Sequence, residues 1–177
     1  MSKPAEMMRV HNDNRIPKRK KALYLWAAAS FVCMLLIFLA SSQTADESSE
    51  LSGGLTRLIF GTMWRWFAPD GQDMPVPLFV ALETVLRKAA HVLAFFALGV
   101  CAANTVRQVV VRRGRVFVVS LLWCAAYGAL DELHQHFVPG RAMMWQDWVI
   151  DTVGALAGIG VVLLVQRRSG KRSNTQS

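Results

Sequence analysis

The sequence predicts an all-α integral membrane bundle of four transmembrane helices, with both termini cytoplasmic and a short interfacial helix in the first outer loop. Three observations predict it. The chain has 177 residues, 53% apolar and 18% charged, a balance that excludes a disordered polypeptide and leaves enough chain for a buried core. Four apolar runs near bilayer-spanning length are each bounded by charged residues. The net charge of +8, which on a soluble chain would suggest nucleic-acid binding, separates into two opposed sides once those runs are placed.

Residues 1–21 form a basic tail suited to anionic lipid on the inner leaflet. The first span covers residues 22–40, nineteen positions without a charge. About 20 helical residues match a hydrocarbon core of about 30 Å, so the run is long enough to cross. It follows Lys18, Arg19, Lys20 and Lys21 as a signal peptide would. It is longer than a usual signal-peptide apolar region, however, and Ser41, Ser42 and Gln43 make a poor cleavage site, so a retained anchor is expected. A soluble helix would show a polar face, which this run lacks.

The first outer connection, residues 41–83, is too long for a structureless loop. Leu51, Leu55, Leu58, Ile59, Met63 and Trp66 recur at three and four residues, predicting a helix over about residues 48–67. Trp64, Trp66 and Phe67 at its end suit the outer headgroup layer; a lid packed over the bundle fits the same pattern. Ala68, Pro69, Asp70 and Gly71 read as a turn, and Pro75 and Pro77 predict an extended stretch after it. The remaining spans are residues 89–103, 116–130 and 149–165. A short cytoplasmic turn around Arg112, Arg113, Gly114 and Arg115 joins the second to the third. The membrane domain is therefore 22–166, and 167–177 is a second basic tail.

With the N-terminus inside, residues 1–21, 104–115 and 166–177 carry seven, four and four Lys or Arg, fifteen of the twenty in the chain. The opposite side keeps Arg57, Arg65, Arg87, Lys88 and Arg141 together with ten of the twelve acids. The positive-inside rule places both termini in the cytoplasm, and no nucleic-acid partner is needed to explain the charge. Cys33, Cys101 and Cys124 fall within spans, with no CxxC or Cys/His spacing, and read as small core residues rather than disulfides or zinc ligands.

Measured from the cytoplasmic boundaries, about 20 residues of helix bring His91, Asp131, Glu132, His134 and Asp151 to one level, the outer third of the membrane. Ser41, Ser42 and Gln43 end the first span at the same height. Arg87 and His91, Lys88 and His91, Asp131 and His134 or Gln135, and Asp147 and Asp151 are spaced three or four apart, so each set shares a helical face. Ionisable groups at such depth face the bundle interior and pair, which predicts a polar pocket closed toward the cytoplasm and open outward. Pro139 and Gly140 end the third helix and turn Arg141 back toward the carboxylates. His136 reads as surface.

Three uses of the pocket fit these residues. One is an ion-pair network with Lys88 between Asp131 and Asp151, fixing helix register. Another is a binding or catalytic site for an anionic or polar lipid-linked substrate. In it Arg87, Lys88 and Arg141 hold charge, and Asp131, Glu132 and His134 are the candidate acid/base set. Ser41, Ser42, Gln43, His91, Gln135, Asp147 and Asp151 complete its lining. The last is a metal site of Asp131, His134 and a carboxylate such as Asp151, against which Lys88 would compete for the same carboxylates. The pocket as a lipid headgroup site, with no cofactor or metal assigned, is the working expectation. No Walker motif or recognised Ser/His/acid spacing is present, so an enzymatic activity is left open beside a non-enzymatic role in sequestering lipid or steadying an envelope complex.

At these residues the chain resembles the VanZ-like family. The matching elements are Ser41, Ser42 and Gln43 after the first span, then Lys88 and His91 opening the second. Asp131, Glu132, His134, Gln135, Phe137, Pro139, Gly140 and Arg141 follow the third, and Asp147 and Asp151 open the fourth. Many members are similar but carry Asn where Asp151 stands. The resemblance implies a bacterial-type multi-pass protein of the cell membrane. It also implies an envelope context, since the founding member is associated with low-level resistance to teicoplanin, a lipoglycopeptide aimed at wall precursors.

Overall fold

A computed structural model describes the backbone of residues 15–68 and 72–174, and the side chains of 19–68 and 72–168. The basic tail before residue 15, the turn at Pro69, Asp70 and Gly71, and the last three residues lie outside the described residues. Every regular element among the described residues is a helix. Helix α1 is Arg15–Ser41. Helix α2 runs from Ala45–Thr56 through a π-helical segment at Arg57–Gly61 into Thr62–Phe67. Helices α3, α4 and α5 are Val76–Val106, Arg113–Gln135 and Trp145–Asn174. Four segments, Arg19–Ser41, Val76–Val106, Arg113–Gln135 and Trp145–Arg168, are long and apolar enough to cross a membrane.

The stretch after Pro75 is helical, not extended as Pro75 and Pro77 suggested. Pro75 is the N-cap of α3 and Pro77 lies in its first turn. There a missing N–H costs no hydrogen bond and the fixed φ already suits a helix. The early start places Glu83, Arg87 and Lys88 on successive turns of α3. Helix α2 also begins earlier than its apolar period indicates. Thr44 and Glu47 form a capping box, the Glu47 amide donating to Thr44 Oγ1 at 3.3 Å and the Thr44 amide to Glu47 Oε2 at 2.9 Å. These bonds satisfy amides that a helix start otherwise leaves open.

Helix α2 lies against the start of α3. Ser52 Oγ donates to Glu83 Oε1 at 2.8 Å, and the Arg57 guanidinium sits 5.6 Å from the Phe79 ring centroid. The core below joins Ile37, Phe95, Leu98, Ala102, Cys124 and Ala155 to Ala103, Ile159 and Val162. Leu25, Phe31, Leu35 and Leu39 of α1 point outward, as a lipid-facing surface requires.

The seam between α3 and α5 is set by small residues. A Cβ on Gly99 would overlap the backbone of Ala155, one on Gly154 that of Val92, and one on Gly158 that of Phe96. Gly154 and Gly158 have the four-residue spacing that lets membrane helices approach backbone to backbone. Several buried polar groups in this part of the bundle bond within their own helix. Ser30, Asn104 and Thr105 donate to the carbonyls of Trp26, Val100 and Cys101 at 2.9, 2.8 and 2.9 Å. Tyr127 OH donates to the Met34 carbonyl and Trp148 Nε1 to the Ala125 carbonyl, tying α4 to α1 and α5. The cysteines are free thiols, with Cys33 and Cys101 Sγ 4.0 Å apart.

Arg19, Arg107, Arg113 and Gln166 line one cleft, so the start of α1, the α3–α4 connection and the end of α5 share one basic end of the bundle. The described acids and histidines occupy the other.

Candidate functional site

At the acidic end each of α1, α3, α4 and α5 contributes a polar side chain. Asp131 is the best anchored. Its Oδ2 accepts from Ser41 Oγ at 2.8 Å and from Gln135 Nε2 at 2.9 Å, and Gln135 Nε2 also reaches Ser41 Oγ at 3.3 Å. The i,i+4 spacing on α4 and the last residue of α1 thus converge on one carboxylate oxygen. Glu132, next in sequence and fully buried, serves the returning loop: its Oε2 accepts from the Met144 amide at 2.8 Å. That loop turns at Gly140, whose φ of 75° is the left-handed conformation glycine adopts without penalty. The Pro139 carbonyl accepts from the Ala45 amide at 3.3 Å. The loop is thereby tied to the start of α2, and Arg141 is carried over the cavity.

The expected network of Lys88 between Asp131 and Asp151 does not form. Lys88 Nζ bonds Asp147 Oδ1 at 2.5 Å, and Arg87 pairs with Glu83 at 3.1 Å, one turn earlier on α3. Asp151 instead faces His91, whose Nδ1 is 3.8 Å from its Oδ1. The α3–α5 seam causes this, because Gly154 sits on the backbone of Val92, beside His91, one turn from Asp151.

Two of the expected residues, His134 and Ser42, stand apart, and His136 is at the surface as its sequence reading expected. The His134 ring stacks on Phe38 at a centroid distance of 4.6 Å, away from Asp131 and Asp151. Ser42 Oγ is exposed and donates to the Phe38 carbonyl at 2.7 Å. His136 is exposed and packs edge-on to Phe137.

Two cavities open at this end. A polar one of about 410 Å³ is lined by residues that include Lys88, Glu132, Gln135, Asp147 and Asp151. An apolar one of about 330 Å³ runs between α1, α2 and α3, past Cys33, Ile37, Gln43, Leu51, Leu55 and Ala94. Arg87, His91 and Arg141 line both. Among the described residues the Arg141 side chain has no hydrogen-bond or ion-pair partner, and the Arg87 Nε is buried with none. Burial first, then the nearby Arg87 charge, pull the Arg141 guanidinium below its ordinary value. Asp131, Glu132 and Asp147 act in the opposite sense. An anion between the two arginines would relieve their repulsion.

The polar residues of four helices, in sequence order, form one cluster under the loop that carries Pro139, Gly140 and Arg141. A model of the VanZ/LLP1 family matches residues 26–166. The chain belongs to the VanZ/LLP1 family. Its membership covers all four apolar helices, so the protein is a VanZ-family membrane protein. Comparison with curated proteins and with solved structures gives no match.

Sequence reasoning missed Glu83, the partner of both Arg87 and Ser52, because the prolines placed it in an extended stretch. Its signal was the i,i+4 spacing to Arg87. It also missed the glycine seam, which Gly154 and Gly158 announce by their spacing, and the tie between Ala45 and Pro139, which no local pattern encodes.

Proposed function

We propose that this VanZ-family protein binds the anionic headgroup of a lipid-linked envelope component at the acidic end of the bundle, with the lipid chain in the apolar cavity. The observation that carries the reading is the junction of the two cavities at Arg87, His91 and Arg141. A polar chamber with spare guanidinium donors opens beside a chamber lined almost wholly by carbon, which matches an amphiphile and no purely soluble ligand. The basic opposite end supports an outward-facing site under the positive-inside rule.

Binding is favoured over acid–base chemistry by Asp131, Glu132 and His134. Glu132 Oε2 is taken by the Met144 amide and the His134 ring packs on Phe38, so neither joins Asp131, whose Oδ2 is held by Ser41 and Gln135. A teicoplanin-type resistance role follows on this reading from occupancy of a lipid-linked wall precursor. Mass spectrometry of lipids copurifying with the wild type and with Arg141→Ala tests the proposal. One anionic lipid species should be retained by the wild type and depleted in the variant. Identical lipid profiles would contradict the proposal.

A further inference from the structure

Beside the polar cavity, which His91 and Asp151 line, lies a cluster whose carboxylates anion binding does not use. One ligand atom each from His91, Asp131 and Asp151, on α3, α4 and α5, lies within 4.8 Å of the other two. Asp151 is 1% exposed and neither carboxylate oxygen has a hydrogen-bond partner; Asp131 is 3% exposed and its Oδ1 has none. Three buried carboxylate oxygens without hydrogen-bond donors are strongly unfavourable unless a cation or proton joins them. The cations that could serve are engaged elsewhere, Lys88 with Asp147 and Arg87 with Glu83. Arg141 makes no ion pair with either carboxylate.

We propose that His91, Asp131 and Asp151 form a site for one divalent transition-metal ion of the zinc or manganese class, with Ser41 and Gln135 orienting Asp131. Ser41 and Gln135 both donate to Oδ2 of Asp131. They fix the carboxylate and leave Oδ1 free toward His91 and Asp151, which is how outer-shell partners present a ligand. One imidazole nitrogen with two carboxylates suits zinc or manganese. Calcium and magnesium sites are built from oxygen alone, and soft thiolate sites need sulfur. Ligand atoms of a tetrahedral ion with bonds of about 2.1 Å are about 3.4 Å apart, so loading draws the three side chains together by about 1 Å. Three protein ligands leave a coordination position open toward the cavity. This inference is independent of lipid binding, since it is measured with the ion alone.

The test uses full-length protein in detergent, its affinity tag removed, stripped with chelator and re-equilibrated with Zn²⁺ or Mn²⁺. The wild type and His136→Ala, which removes an exposed histidine outside the cluster, should each retain one ion per chain and melt at higher temperature with it. Asp151→Asn and His91→Ala should lose both the ion and the metal-dependent shift. Gln135→Leu should weaken affinity by about 10–100-fold, an effect that a purely structural role for the cluster would not produce. The wild-type measurement is decisive even if a variant fails to fold. No retained ion in the wild type, or wild-type affinity in Asp151→Asn, overturns the site. The first result would leave a proton shared between Asp131 and Asp151 as the arrangement.

Discussion

The two ends of the bundle treat buried polarity in opposite ways. In the body toward the basic end, α3 and α5 meet backbone to backbone at Gly99, Gly154 and Gly158, and Ser30, Asn104 and Thr105 bond carbonyls of their own helices. At the acidic end the helices spread around a cavity of about 410 Å³. Asp131 and Asp151 there hold the only unpaired buried carboxylate oxygens among the described residues. Ser120 Oγ, Arg107 Nε and Gln166 Nε2 are also without partners elsewhere, but none is a buried anion. On the proposed function, close packing in one region carries stability, and the open polar chemistry of the other serves the ligand.

The seam gives the largest expected effect. Gly158→Leu would drive a side chain into the Phe96 backbone and should destabilise the detergent-solubilised protein by about 3 kcal/mol or more. Gly160→Leu, where nothing lies within 4 Å, should change thermal unfolding little. Equal losses would mean that the seam does not hold the bundle.

Glu132→Ala comes next. It removes the acceptor of the part-buried Met144 amide bond, at about 1 kcal/mol for the net loss of one hydrogen bond. Hydrogen exchange should quicken at Met144 and along 138–144, while Glu132→Gln, which keeps an acceptor, should be closer to wild type.

The smallest effect separates helix α2 from both regions. The backbone amide of Thr44, then its hydroxyl, hold the Glu47 carboxylate below the ordinary value of 4.5. Its contribution is therefore complete above the unfolded carboxylate value and is lost as pH falls through the lower folded value. Exchange at 44–48 should quicken over that acid range while the amides of 154–158 stay protected.

The spans were legible because uncharged runs of bilayer length leave few alternatives. The level of His91, Asp131 and Asp151 was legible because rise per residue converts sequence into depth. Partner choice was not. Lys88 lies within reach of several carboxylates on paper, and its bond to Asp147 follows from how closely α3 and α5 approach, which depends on tertiary packing at Gly154 and Gly158. His134 shares a helical face with Asp131, yet Phe38 of α1 holds its ring. Such cross-helix competition has no signature in spacing along a single helix.

On the proposed function, Arg141 at the acidic end serves the ligand more than the fold. The direct measurement is thermal unfolding of wild type and Arg141→Ala, with and without added anionic lipid. A ligand that binds only the folded state raises its melting temperature. Without lipid the two should melt alike, and anionic lipid should raise the melting temperature of the wild type alone. A variant that melts lower without lipid, and gains as much from lipid as the wild type, would contradict the account.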